Sequence, residues 1–163
     1  MAYRSMICIL ASATVLATIA HPIQARSGSG CAVTAAFNHP FIPPAPYDKH
    51  LAPPDFWLGT PSLWTIIHPG TWKLGANNGA KLPYWRQGFD AEKERDPRLI
   101  VVARRLDGPA PLVWSAWANS ANADNTPAGM AMVTGFDIPM EGCWEISARY
   151  RDQTLTYTVL VKK

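Results

Sequence analysis

Gly142-Cys-Trp-Glu-Ile-Ser-Ala-Arg-Tyr150 and Thr154-Leu-Thr-Tyr-Thr-Val-Leu-Val161 are the two stretches that decide the fold. In the first, Trp144, Ile146, Ala148 and Tyr150 alternate with Cys143, Glu145, Ser147 and Arg149. In the second, Leu155, Tyr157, Val159 and Val161 are set against Thr154, Thr156 and Thr158. Successive side chains of a strand point to opposite faces, so a period of two puts one face in a core and leaves the other outside. With Arg151-Asp152-Gln153 between them, the pair predicts an antiparallel hairpin with one buried face.

Upstream, Arg98 to Leu106 is a further clear strand, closed by the turn pair Asp107-Gly108, and Met130 to Phe136 has strand character. Ser62 to Ile67, bounded by Pro61 and Pro69-Gly70, suits a first strand entered through Phe56 to Thr60. Trp72-Lys73-Leu74 is its expected hairpin partner, followed by a turn at Asn77-Asn78-Gly79. Val113 to Ala118 is a weaker strand, and Asn119 to Gly129, small, polar and broken by Pro127, reads as a loop. No segment sustains a helical period, and Ala91 to Arg95 is the one helix-friendly piece of the mature chain. Short strands punctuated by Pro and Gly predict an all-β sandwich over residues 55–163.

Residues 1–25 read as an export signal. Arg4 gives a positive start, and Met6 to Ala20 carries no charge before the polar stretch with Pro22. Cleavage fits best after Ala25, with Ala20 the competing site. Cys31 follows Gly28-Ser29-Gly30, which does not match a lipoprotein signal. The apolar run is shorter than the roughly 20 residues of a membrane-spanning helix, so no transmembrane anchor is expected and the protein is placed in the periplasm or outside the cell. The formal net charge is +3 with scattered basic residues, which gives no reason to expect a nucleic-acid partner.

Removal of the signal takes Cys8 away and leaves Cys31 and Cys143 in an oxidising compartment, where a single disulfide is the natural reading and two unpaired thiols the alternative. Cys143 falls on the side opposite Trp144, so the bond would staple the N-terminal segment to the outside or edge of the sheet. Residues 26–54 form a separate arm. From His39 to Pro54 the proline density removes amide donors and fixes φ, which predicts an extended segment. Its Phe41, Ile42, Tyr47 and Leu51 favour packing on the domain over service as a free ligand.

The run Pro139-Met-Glu-Gly-Cys-Trp-Glu-Ile146 followed by the Leu155 to Val161 strand resembles the closing hairpin of bacterial extracytoplasmic immunoglobulin-like domains. Trp85-Arg-Gln-Gly-Phe-Asp90 and Arg104-Arg-Leu-Asp107, taken with Gly142 to Tyr150, look like a group of uncharacterised secreted bacterial proteins. The resemblance implies an immunoglobulin-like antiparallel β-sandwich with a Pro-rich N-terminal arm. It implies no catalytic residue, because a fold of this kind does not specify a function.

Recognition is the chemistry the composition favours. Seven tryptophans are many for this length, and flat exposed indoles bind sugar faces or the apolar patch of a partner. Trp85 beside Arg86, Gln87 and Asp90 joins an aromatic platform to hydrogen-bonding groups in a turn, and Trp57 also lies next to turn residues; for both indoles exposure and packing are equal alternatives. Most of Trp64, Trp114, Trp117 and Trp144 are expected to fill the core. The first reading is therefore a non-catalytic binding or structural module with an envelope protein or polysaccharide partner and no cofactor.

The alternative is a small extracytoplasmic hydrolase or a metal carrier. His39, His50 and His68 with Asp48 show no compact ligand spacing, so no metal site is assigned. A copper carrier would draw on His21, Met130, Met132 and Met140. No Gly-x-Ser-x-Gly elbow is present. Asp90, Glu92, Glu94 and Asp96 sit with Lys93 and Arg95 in a charged turn better read as solvated surface than as a glycosidase acid pair.

Overall fold

A computed structural model describes residues 30–38, 41–47, 51–74, 82–123 and 129–163. The expected export signal with its candidate cleavage sites, His21, His39, Asp48, His50 and the turn expected at residues 77–79 lie outside the described residues. After a single 3-10 turn, Ala36–Asn38, the described elements are all strands: β1 Phe56–Thr60, β2 Leu63–Ile67, β3 Thr71–Lys73, β4 Leu82–Trp85, β5 Leu99–Arg105, β6 Val113–Trp114, β7 Asn119–Asn122, β8 Met130–Thr134, β9 Gly142–Tyr150 and β10 Gln153–Lys162. They form two five-stranded sheets, ordered β1-β2-β4-β8-β7 and β3-β10-β9-β5-β6. The sheets pack face to face as a sandwich, with Leu58, Leu63, Tyr84 and Met132 of the first meeting Leu99, Val101, Trp144, Ile146 and Val159 of the second.

The closing hairpin is as its alternation predicts. In β9–β10, Trp144 pairs with Val159, Ile146 with Tyr157 and Ala148 with Leu155, and Trp144, Ile146, Ala148 and Tyr150 are all buried. Arg151 makes the tight turn at φ 55°. Each large side chain buried here removes enough apolar surface to contribute roughly 1.5–3 kcal/mol. At its other end β9 begins at Gly142, whose φ is 140°. A β-carbon there would lie 2.6 Å from Arg105 Nε and 2.7 Å from Asp107 Oδ1, because the Arg105–Asp107 pair closes over the backbone and Asp107 Oδ2 accepts the Cys143 amide at 2.9 Å.

The first sheet is apolar on both faces, and β2 is buried along its whole length. Alternation sends Leu63 and Ile67 toward the second sheet and Trp64 and Ile66 the other way. On that outer side Trp57, Trp64, Ile66, Trp85, Ala131 and Val133 form a second cluster, packed by Phe41, Tyr47 and Leu51 of the arm. The arm thus packs on the domain, with Ile42 left exposed.

The N-terminal segment is held by the disulfide Cys31–Cys143 (S–S 2.06 Å). It is also held by Thr34, whose amide donates to the Thr158 carbonyl at 3.0 Å and whose hydroxyl accepts the Thr158 amide at 2.9 Å.

Several expectations are corrected. Trp72 and Lys73 do not form a hairpin with β2. As β3 they pair parallel to the end of β10, Trp72 opposite Val161, because Trp72 and Leu74 pack against the core between the sheets. The sandwich is therefore antiparallel except for this one pair among the described strands. Asn119–Asn122, expected as loop, is the edge strand β7, laid along β8 in a ladder from Asn119–Val133 to Asn122–Met130. The expected Val113–Ala118 strand shortens to β6, and residues 115–118 instead carry the chain from the edge of one sheet to the edge of the other.

Candidate functional site

The turn after β4 holds most of the residues singled out for binding. Trp85 ends β4, and the Gln87 amide donates to the Pro61 carbonyl at 2.8 Å, tying the turn to the β1–β2 hairpin. Asp90 caps the next turn, its Oδ1 accepting the Glu92 and Lys93 amides at 3.1 and 3.3 Å and its Oδ2 pairing with Lys93 Nζ at 2.8 Å. Lys93 holds the Asp90 carboxyl below its usual range, chiefly through that side-chain contact.

Arg86 is fully engaged. Its Nε donates to the Tyr150 hydroxyl (3.2 Å), its Nη1 to the carbonyls of Gln87 and Gly88 (3.0 and 3.1 Å) and its Nη2 to Glu94 Oε2 (3.2 Å). The Tyr150 hydroxyl in turn donates to Glu94 Oε1, and Arg151 approaches Glu94 at 3.5 Å. Burial pushes the Glu94 carboxyl up, but Tyr150, Arg86 and Arg151 outweigh it and hold it below the usual range. This network clasps the turn to the end of β9. Beside it opens a polar cleft of about 460 Å³ lined by Ser62, Arg86, Gln87, Tyr150, Arg151 and Asp152.

For the two indoles singled out here, the structure settles the open choice between exposure and packing in favour of packing. Trp85 is 0% and Trp57 6% exposed, and they pack edge-on at 5.5 Å in the outer cluster. Trp64 lies in the same cluster, with Phe41 and Tyr47 against it at 5.9 and 5.5 Å. The period-two alternation of β1 and β4 turns Trp57 and Trp85 outward from the sandwich, and the other members of that cluster, including the arm, cover them. Neither ring offers a face to solvent, so of the five residues singled out only Arg86, Gln87 and Asp90 reach the surface.

Of the four tryptophans expected mostly in the core, Trp64 and Trp144 are buried and two are not. Trp117 is 85% and Trp114 61% exposed. They sit where the chain crosses between the sheet edges, on a backbone fixed at both ends. The Ser115 amide donates to the Val101 carbonyl (2.8 Å) and its hydroxyl accepts the Val101 amide (3.1 Å). The Ala116 amide donates to Gly135 (3.0 Å), and the Thr134 hydroxyl donates to the Ala116 carbonyl (2.6 Å).

Trp117 borders three clefts of about 310, 410 and 320 Å³, the first shared with Trp114 and Ile100, the second with Asn119, Phe136 and Asp137, the third with Asp96, Pro97 and Arg98. Asp96, Arg98, Asn119 and Asp137 are exposed, and no described group bonds to their side chains. A signal for this corner exists in the sequence. Trp114 and Trp117 are three apart, a spacing that cannot share one face of a strand, and Pro109 and Pro111 precede them.

His68, the one candidate metal ligand among the described histidines, is exposed and pairs through Nδ1 with Asp55 Oδ2 at 2.8 Å. Of the methionines, Met132 is buried in the core, Met130 is exposed and Met140 accepts from Arg105 Nη1 at 3.2 Å. Among the described residues no three His, Cys, Asp or Glu side chains gather as a metal site, and no helix is long and apolar enough to cross a membrane. Comparison of the chain with protein-family models, with curated proteins and with solved structures finds no match.

Proposed function

We propose that the protein is an exported, non-catalytic binding module that meets its ligand through the Trp114–Trp117 corner. Trp117 carries the reading: an indole 85% exposed, on a backbone held by neighbouring strands, at the junction of three clefts. Large aromatic side chains are costly to leave in water and dominate contact energies where they are found at interfaces. A fixed backbone spares the ligand the entropy of ordering it. The Cys31–Cys143 disulfide supports an oxidising compartment, secreted or periplasmic.

A second contact zone is the 460 Å³ cleft at Arg86 and Gln87, favoured by its size and by the exposure of Gln87 and Arg151. The test is capture of envelope fractions and polysaccharides by the mature protein, by Trp117→Ala and by Gln87→Ala. Loss in Trp117→Ala alone is the expected result. Loss in Gln87→Ala alone moves the site to the cleft. Gln87 is the cleaner probe there, because Arg86→Ala would also undo the clasp on Glu94 and Tyr150.

A further inference from the structure

Resting on that reading of the corner, we propose that its ligand is a neutral polysaccharide. The groups around Trp117 carry the argument. An indole this exposed offers a ring face to the C–H face of a sugar, and Trp114 places a second, 61% exposed indole along the same cleft.

The rim supplies what sugar hydroxyls need, which is donors and acceptors together. Asp96 and Asp137 accept, Arg98 donates and Asn119 does both. Its charges are of both signs, so a polyanion meets the two carboxylates and a basic chain meets the guanidinium, while an uncharged hydroxyl-rich chain meets neither penalty. The three clefts open from one residue rather than merging into one pocket, and each is at the small end of the roughly 300–1,000 Å³ range of ligand sites. Such a surface suits successive ring units of a polymer better than one compact molecule.

The experiment is native electrophoresis of the full mature chain, Trp117→Ala and Trp117→Phe through gels containing dextran, amylopectin, laminarin, galactomannan or hydroxyethyl cellulose, with alginate as the anionic counterpart. Capture of an envelope protein fraction is measured in parallel. The expected result is retardation by at least one neutral polymer that persists at about 0.5 M salt, where charge attraction is screened. It should weaken at least tenfold in Trp117→Ala and less in Trp117→Phe. Both variants should keep the parent melting temperature, since the side chain is almost wholly exposed.

Retardation by alginate alone, abolished by salt, overturns the neutral ligand. Trp117-dependent capture of protein with no retardation by any polymer overturns the polysaccharide and leaves the corner as a contact surface. No Trp117-dependent binding in any arm overturns both.

Discussion

Replacing Tyr157 with phenylalanine tests the polar bond inside the sandwich. Tyr84 of β4 and Tyr157 of β10 belong to different sheets, are 0% and 3% exposed, and hold their hydroxyls 3.1 Å apart. Burial first, and then the neighbouring tyrosine, pushes the Tyr84 hydroxyl well above its ordinary range, and burial raises that of Tyr157. Both therefore stay neutral and bonded at pH 7. Taking one away strands the other in an apolar core, which costs about 1–3 kcal/mol. Tyr84→Phe should cost a similar amount for the same reason.

The double variant keeps both rings and removes both hydroxyls, so it should cost no more than either single variant, with a coupling of about 1–3 kcal/mol in the cycle. Urea unfolding with the disulfide intact, followed by tryptophan fluorescence and circular dichroism, reads this as a midpoint shift at constant slope. A double variant that loses the sum of the two single costs would refute the reasoning, since the hydroxyls would then not be each other's partners. The raised hydroxyls also set a sign with pH. Their contribution is complete below the unfolded tyrosine value near 10 and falls away as pH rises beyond it.

The same unfolding assay separates the two kinds of tryptophan. Trp85→Ala should cost about 3–5 kcal/mol by emptying the outer cluster, and Trp117→Ala should stay within about 0.5 kcal/mol. Gly142→Ala should destabilise by about 1–3 kcal/mol, because the new methyl group meets Arg105 and Asp107 in a backbone region disfavoured for other residues. A parent-like midpoint would show that the Arg105–Asp107 pair yields freely. Glu94 is held below its usual range, so its stabilisation is present above the unfolded glutamate value near 4.3 and is lost as pH falls below it. Glu94→Gln should flatten that acid limb of the stability curve, with no change in its slope counting against the clasp.

What the chain discloses in advance depends on whether a residue's neighbours are local. β9 and β10 are legible because they pair through a tight turn and each keeps one face on the core, so alternation alone reports both the strands and their buried side. β5 is legible because it alternates in the same way, and β8, buried on both faces, is legible from its apolar run instead. β4 is not, because Pro83 argues against a strand inside a sheet. It is accommodated because the β2–β4 ladder runs only through Trp64–Trp85 and Thr65–Tyr84, and the Thr65 hydroxyl donates to the Pro83 carbonyl at 2.7 Å. β7 is a strand because β8 templates it, and nothing in Asn-Ser-Ala-Asn says so.

Tryptophan exposure is the least legible property, since it turns on what lies over each face. Trp57 and Trp85 are covered in a cluster completed by an arm distant in sequence. Trp114 and Trp117 lie on a crossing that leaves them exposed among the described residues. Gln87 lies in the turn after β4 with Arg86 before it, but the clasp on Arg86 depends on Tyr150, which lies 64 residues further along the chain.

The arm's position also decides how the protein can be cut. Composition invites a boundary at Asp55, with prolines before it and strands after. A chain begun there would lose Phe41, Tyr47 and Leu51 from the outer cluster and present Trp57, Trp64 and Trp85 to water as one adhesive strip. It would also lose the Cys31 partner of Cys143, leaving a lone thiol in β9 of the other sheet. Such a fragment would self-associate and then be mistaken for a sticky binding protein. Recombinant work on the corner at Trp117 should therefore start no later than Cys31.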